Sequence, residues 1–325
     1  MDYFTPIFNQ MLVLIILIVI GVILARKKIV PDNSAKLLSK LENVLFVPAL
    51  VLGTFIDNCT VEILSGVWQL LVMSFAMAFL LIPISKWIAK RFVKEEFMQK
   101  LAGYGLMFSN FGFMGNAIFL SVFPDIFFEY TLFTLPFWSM AYVWAVPTIL
   151  IPKENQEANP TFWTRIKPFF NPMLIAVFIG FFIGITGLGS YMPAPVTQVI
   201  DSASACMTPV AMILTGITVG NIDVKAMLKK GYLYAITAIR LLVYPLAFLG
   251  IIALLNLLPH NAFINATVFK CILCVAAMPM GLTSIFVPAA YGKDVSEAAG
   301  LVLFTHVFSV ATIPLMFMCL QWIIG

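Results

Sequence analysis

Charged side chains are scarce in this sequence. Asp, Glu, Lys and Arg make up 10% of the 325 residues, whereas hydrophobic residues make up 62%. A soluble domain has about 25% charged and about 45–50% apolar residues, so this composition excludes an ordinary soluble protein. The mean hydropathy of +1.01 points the same way. The sequence therefore predicts a polytopic membrane protein that sits in a lipid bilayer and has little room for a soluble domain.

Residues that commonly carry catalysis or bind metals are also few. The chain has two His and five Cys, and no spacing typical of a Ser/His/Asp triad, a zinc site or a phosphate-binding loop. Cys271 and Cys274 have the CxxC spacing but lie in an apolar segment without a second ligand pair, so we interpret them as small buried residues. The net charge of +4 comes from basic residues in short loops and gives no indication of nucleic-acid binding. We expect no enzyme, no metal and no cofactor, with a coupling proton or sodium ion left open.

Long apolar runs are abundant instead. A membrane-spanning helix needs about 20 consecutive apolar residues, and turn residues or charges separate ten such runs. We call them segments 1 to 10. They cover about 8–25, 35–57, 66–88, 97–123, 129–151, 170–188, 194–219, 231–258, 263–291 and 296–323. The predicted fold class is an all-α membrane protein with ten transmembrane helices.

Two of these runs contain residues that weaken a helix. Segment 4 includes residues 108–117, with two Asn, a Ser and two Gly close together, and segment 9 includes residues 277–284, with Pro279 and Gly281. Irregular backbone inside a membrane is tolerated where it is buried in protein or lines a cavity. Two interrupted helices at matching positions indicate a substrate site in a transporter. The alternative is that both stretches are small-residue faces for helix packing.

The basic residues indicate how the chain is oriented. Lys or Arg occurs in the loops after segments 1, 3, 5, 7 and 9, and in none of the loops after segments 2, 4, 6 and 8. Cytoplasmic loops are enriched in Lys and Arg. We therefore predict that both termini face outside, and the strict alternation supports a count of ten.

The two halves of the chain resemble each other. Residues 8–12 read FNQML and residues 170–174 read FNPML, and four further pairs follow in the same order: Pro48 and Pro209, Pro83 and Pro245, Gly115 and Gly281, Pro147 and Pro314. We predict a first repeat over 1–152, a cytoplasmic linker over 153–169 and a second repeat over 170–325. Because each half has five segments, the second must enter from the opposite side, which makes an inverted repeat.

Two broken helices near the middle of the membrane would each present a half-helix N-terminus. Such an end carries unpaired N–H groups and partial positive charge, so it suits an anion. The predicted substrate-binding residues are Asn110, Gly115, Asn116, Arg240, Pro279, Gly281, Thr283 and Ser284. For Asn110 an interhelical hydrogen bond is an equal alternative. Arg240 lies ten residues beyond Lys230, deep in segment 8. We expect it to bind the anion, and the alternative is a structural role in which it pairs with a backbone carbonyl or a carboxylate.

Four further polar residues in apolar segments are candidates for ion coupling or charge balance. They are Glu42, Asp201, Lys270 and His306. Each has a structural alternative: Glu42 and Asp201 could cap or pair near an interface, and Lys270 could extend to the membrane surface. A lone His within the membrane is more often hydrogen-bonded structure than a titrating group.

Four motifs together resemble the auxin efflux carrier family of membrane transporters. They are Leu45–Leu50 in segment 2, Ser109–Gly115 in segment 4, Thr208–Pro209 with Gly216 and Gly220 in segment 7, and Met278–Gly281 in segment 9. The resemblance spans the whole chain, and the segment 4 motif is the most specific. Ala117 stands where family members usually have Pro, so this break is expected to be gentler, or held by Asn116 and the glycines alone.

The resemblance implies a fold and an activity. It implies ten helices in two inverted five-helix repeats, with segments 4 and 9 crossing at a central site. Segments 1, 2, 6 and 7 would form a scaffold and homodimer surface, and segments 3–5 and 8–10 a moving transport domain. Family members carry organic anions, which are indole acids in plants and malate-like or malonate-like carboxylates in bacteria.

The sequence thus predicts a secondary transporter of an organic carboxylate that works by alternating access, in the inner membrane of a bacterium. One rival is a sodium-coupled bile-acid-type carrier, which would need a cation site richer in acids than these segments offer. A second rival is a membrane sensor that binds a ligand without carrying it. A membrane enzyme is a more distant possibility, because no catalytic constellation is visible.

Overall fold

The computed structural model describes residues 3–31, 33–152, 154, 170–220, 222–259 and 263–325. Within these ranges the chain is helical, with no strand beyond a single isolated bridge. Apart from Glu154, the predicted linker 153–169 lies outside the described residues. Seven helices in this part of the chain are long and apolar enough to cross a membrane.

Six helices lie in the described part of the first half. α1 spans Phe4–Arg26, α2 Ser34–Asn58, α3 Val61–Phe92, α4 Glu96–Met107, α5 Phe111–Val122 and α6 Pro124–Leu150. Segment 3 was expected to begin near residue 66 but starts at Val61, because the Thr60 hydroxyl accepts the Ile63 N–H at 3.2 Å and so caps an earlier turn. Segment 4 is divided into α4 and α5.

Seven helices lie in the described part of the second half. α7 spans Pro172–Thr186, α8 Ala194–Gly220, α9 Val224–Leu228, α10 Gly231–Asn256, α11 Ala266–Ala277, α12 Thr283–Ala290 and α13 Ser296–Ile324. α7 ends two residues before the expected position, because Gly187 adopts the left-handed conformation (φ 71°) that closes a helix. Segment 9 is divided into α11 and α12. α5, α7 and α11 are shorter apolar helices.

Three helices contain turns with wider π-helical winding. These turns are Glu42–Phe46 in α2, Met140–Leu150 in α6 and Ile239–Val243 in α10, and a fourth, Phe111–Gly115, opens α5. Single π turns inside α-helices are frequent at functional sites because they redirect side chains. Here they carry Glu42, Tyr142 and Arg240.

The helices pack in three sets. α1, α2, α7 and α8 pack on one another. α1 and α8 approach so closely that a Cβ on Gly21 would lie 2.1 Å from the Ile213 oxygen, and one on Gly216 2.0 Å from the Ile18 oxygen. Small residues permit such close contact between membrane helices. α3, α4 and α6 pack together, as do α10, α11 and α13.

Candidate functional site at the two helix breaks

The two breaks are in direct contact through their backbones. The Asn110 N–H donates to the Pro279 oxygen at 2.7 Å, and the Gly281 N–H donates to the Phe108 oxygen at 3.2 Å. Each unwound segment thereby satisfies polar groups of the other, which lipid could not do. A Cβ on Gly281 would lie 2.8 Å from that same Phe108 oxygen, so residue 281 must be small for the pairing to form.

The glycines of the first break permit close packing of aromatic rings. A Cβ on Gly112 would lie 2.1 Å from Cζ2 of Trp138, and one on Gly115 would lie 2.3 Å from the Tyr130 hydroxyl. That hydroxyl donates to the Phe111 oxygen at 2.9 Å. α6, which carries both rings, is therefore held directly against the first turn of α5.

A fully buried arginine joins the ends of both helices that precede the breaks. Arg240 donates from Nε to the Met278 oxygen at 2.8 Å, from Nη1 to the Leu106 oxygen at 3.1 Å, and from Nη2 to the Val275 oxygen at 2.7 Å. The Ser109 hydroxyl donates to Val275 as well, at 2.8 Å. These oxygens belong to the C-terminal turns of α4 and α11, where carbonyls lack helical partners and negative charge accumulates. Arg240 therefore takes the carbonyl-binding role that the sequence left open.

α13 supports the breaks from another side. The Thr305 hydroxyl accepts the Met280 N–H at 3.2 Å. The His306 Nε2 lies 2.9 Å from the Asn110 amide nitrogen, and its Nδ1 lies 2.8 Å from the Val302 oxygen. Both Asn110 and His306 are buried. An interhelical hydrogen bond, the alternative stated for Asn110, is thus present in the structure.

A small cavity of about 20 Å³ lies where the breaks meet. The first residues of α5 and α12 line it, so the N-terminal ends of both helices face the same space. Its lining includes Asn110, Gly112, Gly281 and Thr283. The volume admits about one water molecule, so a carboxylate larger than that requires the breaks to open.

The other predicted substrate-binding residues are not among those that line this cavity. Asn116 is buried on α5 beyond its first turn, and Gly115 lies against Tyr130. The Ser284 hydroxyl donates to the Gly281 oxygen at 2.7 Å and so caps its own break. Pro279 contributes its carbonyl to the pairing with Asn110.

The predicted coupling residues are dispersed, and of the four only His306 is bonded to a break residue. Lys270 lies near the N-terminal end of α11, with its Nζ 4.9 Å from the ring centre of Phe123. Glu42 is fully buried, and neither of its carboxylate oxygens has a hydrogen-bond partner among the described residues. Asp201 is exposed on α8.

Aromatic residues that were not among the predicted site residues also lie at the cavity. Tyr104, Trp138 and Tyr142 line it. The Tyr142 hydroxyl also donates to Asn43 Oδ1 on α2 at 2.6 Å, which links α6 to the group formed by α1, α2, α7 and α8. A signal was available, because a tyrosine inside an apolar segment needs a hydrogen-bond partner.

A second, larger cavity of about 1180 Å³ opens near the basic ends of the helices. It lies between α2, α8 and α12, and its lining includes Lys36, Lys40 and Lys293. Lys293 also forms an ion pair with Glu154, which holds the pKa of that carboxyl below its usual range. Asp223 and Asp294 line the same cavity, so charges of both signs lie around a wide opening that reaches the helix following the second break.

The opposite end of the molecule is tightly packed. Lys270 lies over the rings of Phe123 and Tyr3, at 4.9 and 5.5 Å from their centres. The Tyr3 N–H donates to the Gln321 side-chain oxygen at 2.9 Å. These contacts bring the start of α1 against α5, α11 and α13.

Comparison with protein families matches residues 6–317 to the family described as membrane transport protein. The chain therefore belongs to this family, the auxin efflux carrier family, and is an integral membrane protein. The match extends over nearly the whole chain and confirms the resemblance drawn from the four motifs. A search of curated proteins returned no match.

Proposed function

We propose that this member of the auxin efflux carrier family is a secondary transporter that carries an organic carboxylate anion by alternating access. The observation that supports this most strongly is the meeting of the α5 and α12 N-terminal ends at one cavity. Each end presents N–H groups and about half a positive charge. Two such ends form an anion site with no cation in direct contact, and Asn110 and Thr283 add donors.

The residues around the cavity take different parts in this proposal. Asn110, Asn116, Thr283 and Ser284 donate hydrogen bonds to the carboxylate once the breaks open. Arg240 adds positive charge from behind the carbonyls to which it is bonded. Gly115, Pro279 and Gly281 shape the site by permitting the close approach of its walls.

We further propose ten membrane-spanning segments in two inverted five-helix repeats. The three shorter helices α5, α7 and α11 would complete the seven long ones. α4–α5 and α11–α12 would be the crossing helices, as their backbone pairing suggests. α1, α2, α7 and α8 would form the scaffold and homodimer surface, since they pack together. α3–α6 and α10–α13 would form the moving transport domain.

The two ends of the molecule suggest which side is open. The wide cavity lies at the basic end, which we assign to the cytoplasm, with both termini outside. The contacts of Tyr3, Phe123 and Lys270 close the other end. In this proposal the structure represents an inward-open arrangement, and transport requires those outer contacts to separate.

Substrate and setting follow from the family. We propose a malate-like, malonate-like or indole-type acid, and the inner membrane of a bacterium. A proton or a sodium ion would drive transport, with Glu42, Asp201, Lys270 and His306 as the residues that bind it or balance charge.

The test is uptake of labelled malate, malonate and indole acetate into proteoliposomes with imposed proton or sodium gradients. Saturable uptake of one acid is expected. Asn110→Ala should raise its KM by about tenfold or more, because a hydrogen bond to a charged group contributes about 1.5–3 kcal/mol. Gly250→Ala is the control, since its added Cβ would meet nothing within 4 Å. Folded wild-type protein that takes up none of these acids under either gradient would refute the proposal.

A further inference from the structure

His306 is a titratable side chain that is bonded to a predicted substrate-binding residue. It is buried on α13, one hydrogen bond from Asn110, which in turn lines the cavity between the breaks. The hydrogen bonds on the two ring nitrogens determine its protonation state. Because a carbonyl can only accept, Nδ1 must carry a proton and donate it to the Val302 oxygen at 2.8 Å.

The other nitrogen must then be an acceptor. Nε2 faces the Asn110 amide nitrogen at 2.9 Å, and an amide N–H can only donate. The imidazole is therefore neutral and in the Nδ1–H tautomer. With its Nδ2 directed at the ring, the Asn110 amide is held with Oδ1 at the end turned away from His306.

Protonation would reverse this arrangement. A proton on Nε2 makes that atom a donor, which cannot face an amide N–H, so the Asn110 amide must rotate until Oδ1 accepts from Nε2. Nδ2 then occupies the end turned away from His306. An anion is repelled by an amide oxygen and bound by an amide N–H, so the rotated amide favours a carboxylate.

We infer that His306 positions the Asn110 amide and takes up one proton from water when the anion binds, so that proton and anion are carried together. This inference rests on the proposed transport function and names its coupling ion. Because the two binding events favour each other, each must raise the affinity for the other. Sodium would then have no direct part at this site.

Other charges near α13 leave this reading intact. The ionisable side chains on the helices next to the breaks are Glu96, Lys100 and Tyr104 on α4 and Lys270, Cys271 and Cys274 on α11, and α10 carries Tyr232, Tyr234, Arg240 and Tyr244. Arg26 ends α1, and Asp201 of α8 is exposed. None of them is hydrogen bonded to the imidazole, whose bonds go to Asn110 and Val302. The guanidinium of Arg240 is bonded to three carbonyls.

The chain has two histidines, which allows a direct test without altering His306. In His260→Gln protein labelled with ¹⁵N-histidine, the spectrum reports His306 alone. Without an acid, the spectrum should show a protonated Nδ1 and an unprotonated Nε2, the reverse of the tautomer usual for free histidine. Addition of the acid taken up in the transport assay should protonate both nitrogens at pH 7.5.

Proton uptake provides the second measurement. Wild-type and His260→Gln protein in weakly buffered solution should take up about one proton for each malate, malonate or indole acetate bound. His306→Gln, whose side-chain NH2 group can donate to Asn110 Oδ1 without taking up a proton, should bind the acid without proton uptake and with an affinity that does not vary between pH 6 and 8.

The outcomes separate this inference from the proposed function. Binding of an acid with no proton uptake, or with Nε2 still unprotonated, overturns the role of His306 and leaves transport standing. Proton uptake that persists in His306→Gln also overturns it. If the wild-type protein binds none of the acids, the proposed function fails and the role of His306 fails with it.

Discussion

Arg240 provides the sharpest test of how the site is held together. A positive charge near an anion site suggests a direct ligand, whereas the structure shows a guanidinium bonded to three backbone carbonyls. Substitution by Lys distinguishes the two roles, because Lys keeps the charge but replaces the planar, branched donor group with a single nitrogen. Arg240→Lys should therefore destabilise the protein even in the absence of a substrate.

The magnitude follows from the three carbonyl groups. The Val275 oxygen keeps the Ser109 hydroxyl as a donor, and one ammonium group can reach one of the other two oxygens well, which leaves about one buried acceptor without a partner. Each unpaired buried acceptor costs about 1–3 kcal/mol, so Arg240→Lys should lower stability by about that amount. Arg240→Met, which leaves the Leu106 and Met278 oxygens unpaired, should cost about 2–6 kcal/mol.

Thermal unfolding of the purified protein without ligand measures this directly. Arg26→Lys is the matched control, because Arg26 makes one such bond, from Nε to the Gly220 oxygen at 3.0 Å. It should lower the melting temperature much less. In transport assays Arg240→Lys should reduce the maximal rate, because the two breaks no longer hold their relative positions.

The opposite pattern would refute this reasoning. If Arg240→Lys and Arg240→Met both melt at the wild-type temperature, the three carbonyl bonds contribute nothing. If, in addition, Arg240→Lys has the wild-type KM while Arg240→Met has a higher one, the charge of Arg240 binds the anion directly and the side chain is not a link between the helix ends.

Three further predictions address the packing and the buried acid. Gly112→Ala should prevent stable folding, because the added Cβ would lie 2.1 Å from Trp138. Gly250→Ala is the control and should leave stability unchanged, because its Cβ would meet nothing within 4 Å. The monodispersity and the melting temperature of each purified variant measure the effect. Tyr142→Phe removes the hydrogen bond from α6 to α2, which is worth about 1 kcal/mol. Because that free energy corresponds to a factor of about five in an equilibrium, the ratio of the uptake rates measured from the two membrane sides should change by about fivefold. Glu42→Gln should have a melting temperature no lower than that of the wild type at pH 8, because the Glu42 carboxylate has no partner to lose among the described residues. A melting temperature lower by several degrees would show that the carboxylate is paired.

Much of the fold could be predicted from the sequence, because the relevant physics is local. The bilayer requires about 20 apolar residues for each span, and α1, α3 and α13 lie close to the predicted runs. The breaks were predictable for the same reason, since Asn, Gly and Pro in an apolar run disfavour a continuous helix. Boundaries were less accurate where a single side chain decides them, as the Thr60 cap does for α3.

Partners of individual side chains could not be predicted, because they depend on which helices become neighbours. Asn110 and His306 are separated by 196 positions, yet they are bonded. Tyr142 and Asn43 are likewise 99 positions apart. No periodicity or composition encodes such pairs, so the sequence could name the polar residues but not connect them.

Arg240 shows why depth in the membrane was insufficient to assign a role. A buried guanidinium must find acceptors wherever it lies, and two classes of acceptor were available at mid-membrane: a substrate anion or an unpaired carbonyl. Breaking α4 and α11 creates such carbonyls at the ends of both helices. The same interruption that presents N–H groups to the cavity at α5 and α12 thus leaves oxygens behind it that can accept from a cation. Positive charge on the side away from the cavity stabilises an interrupted helix of this kind, and Arg240 supplies it for both breaks at once.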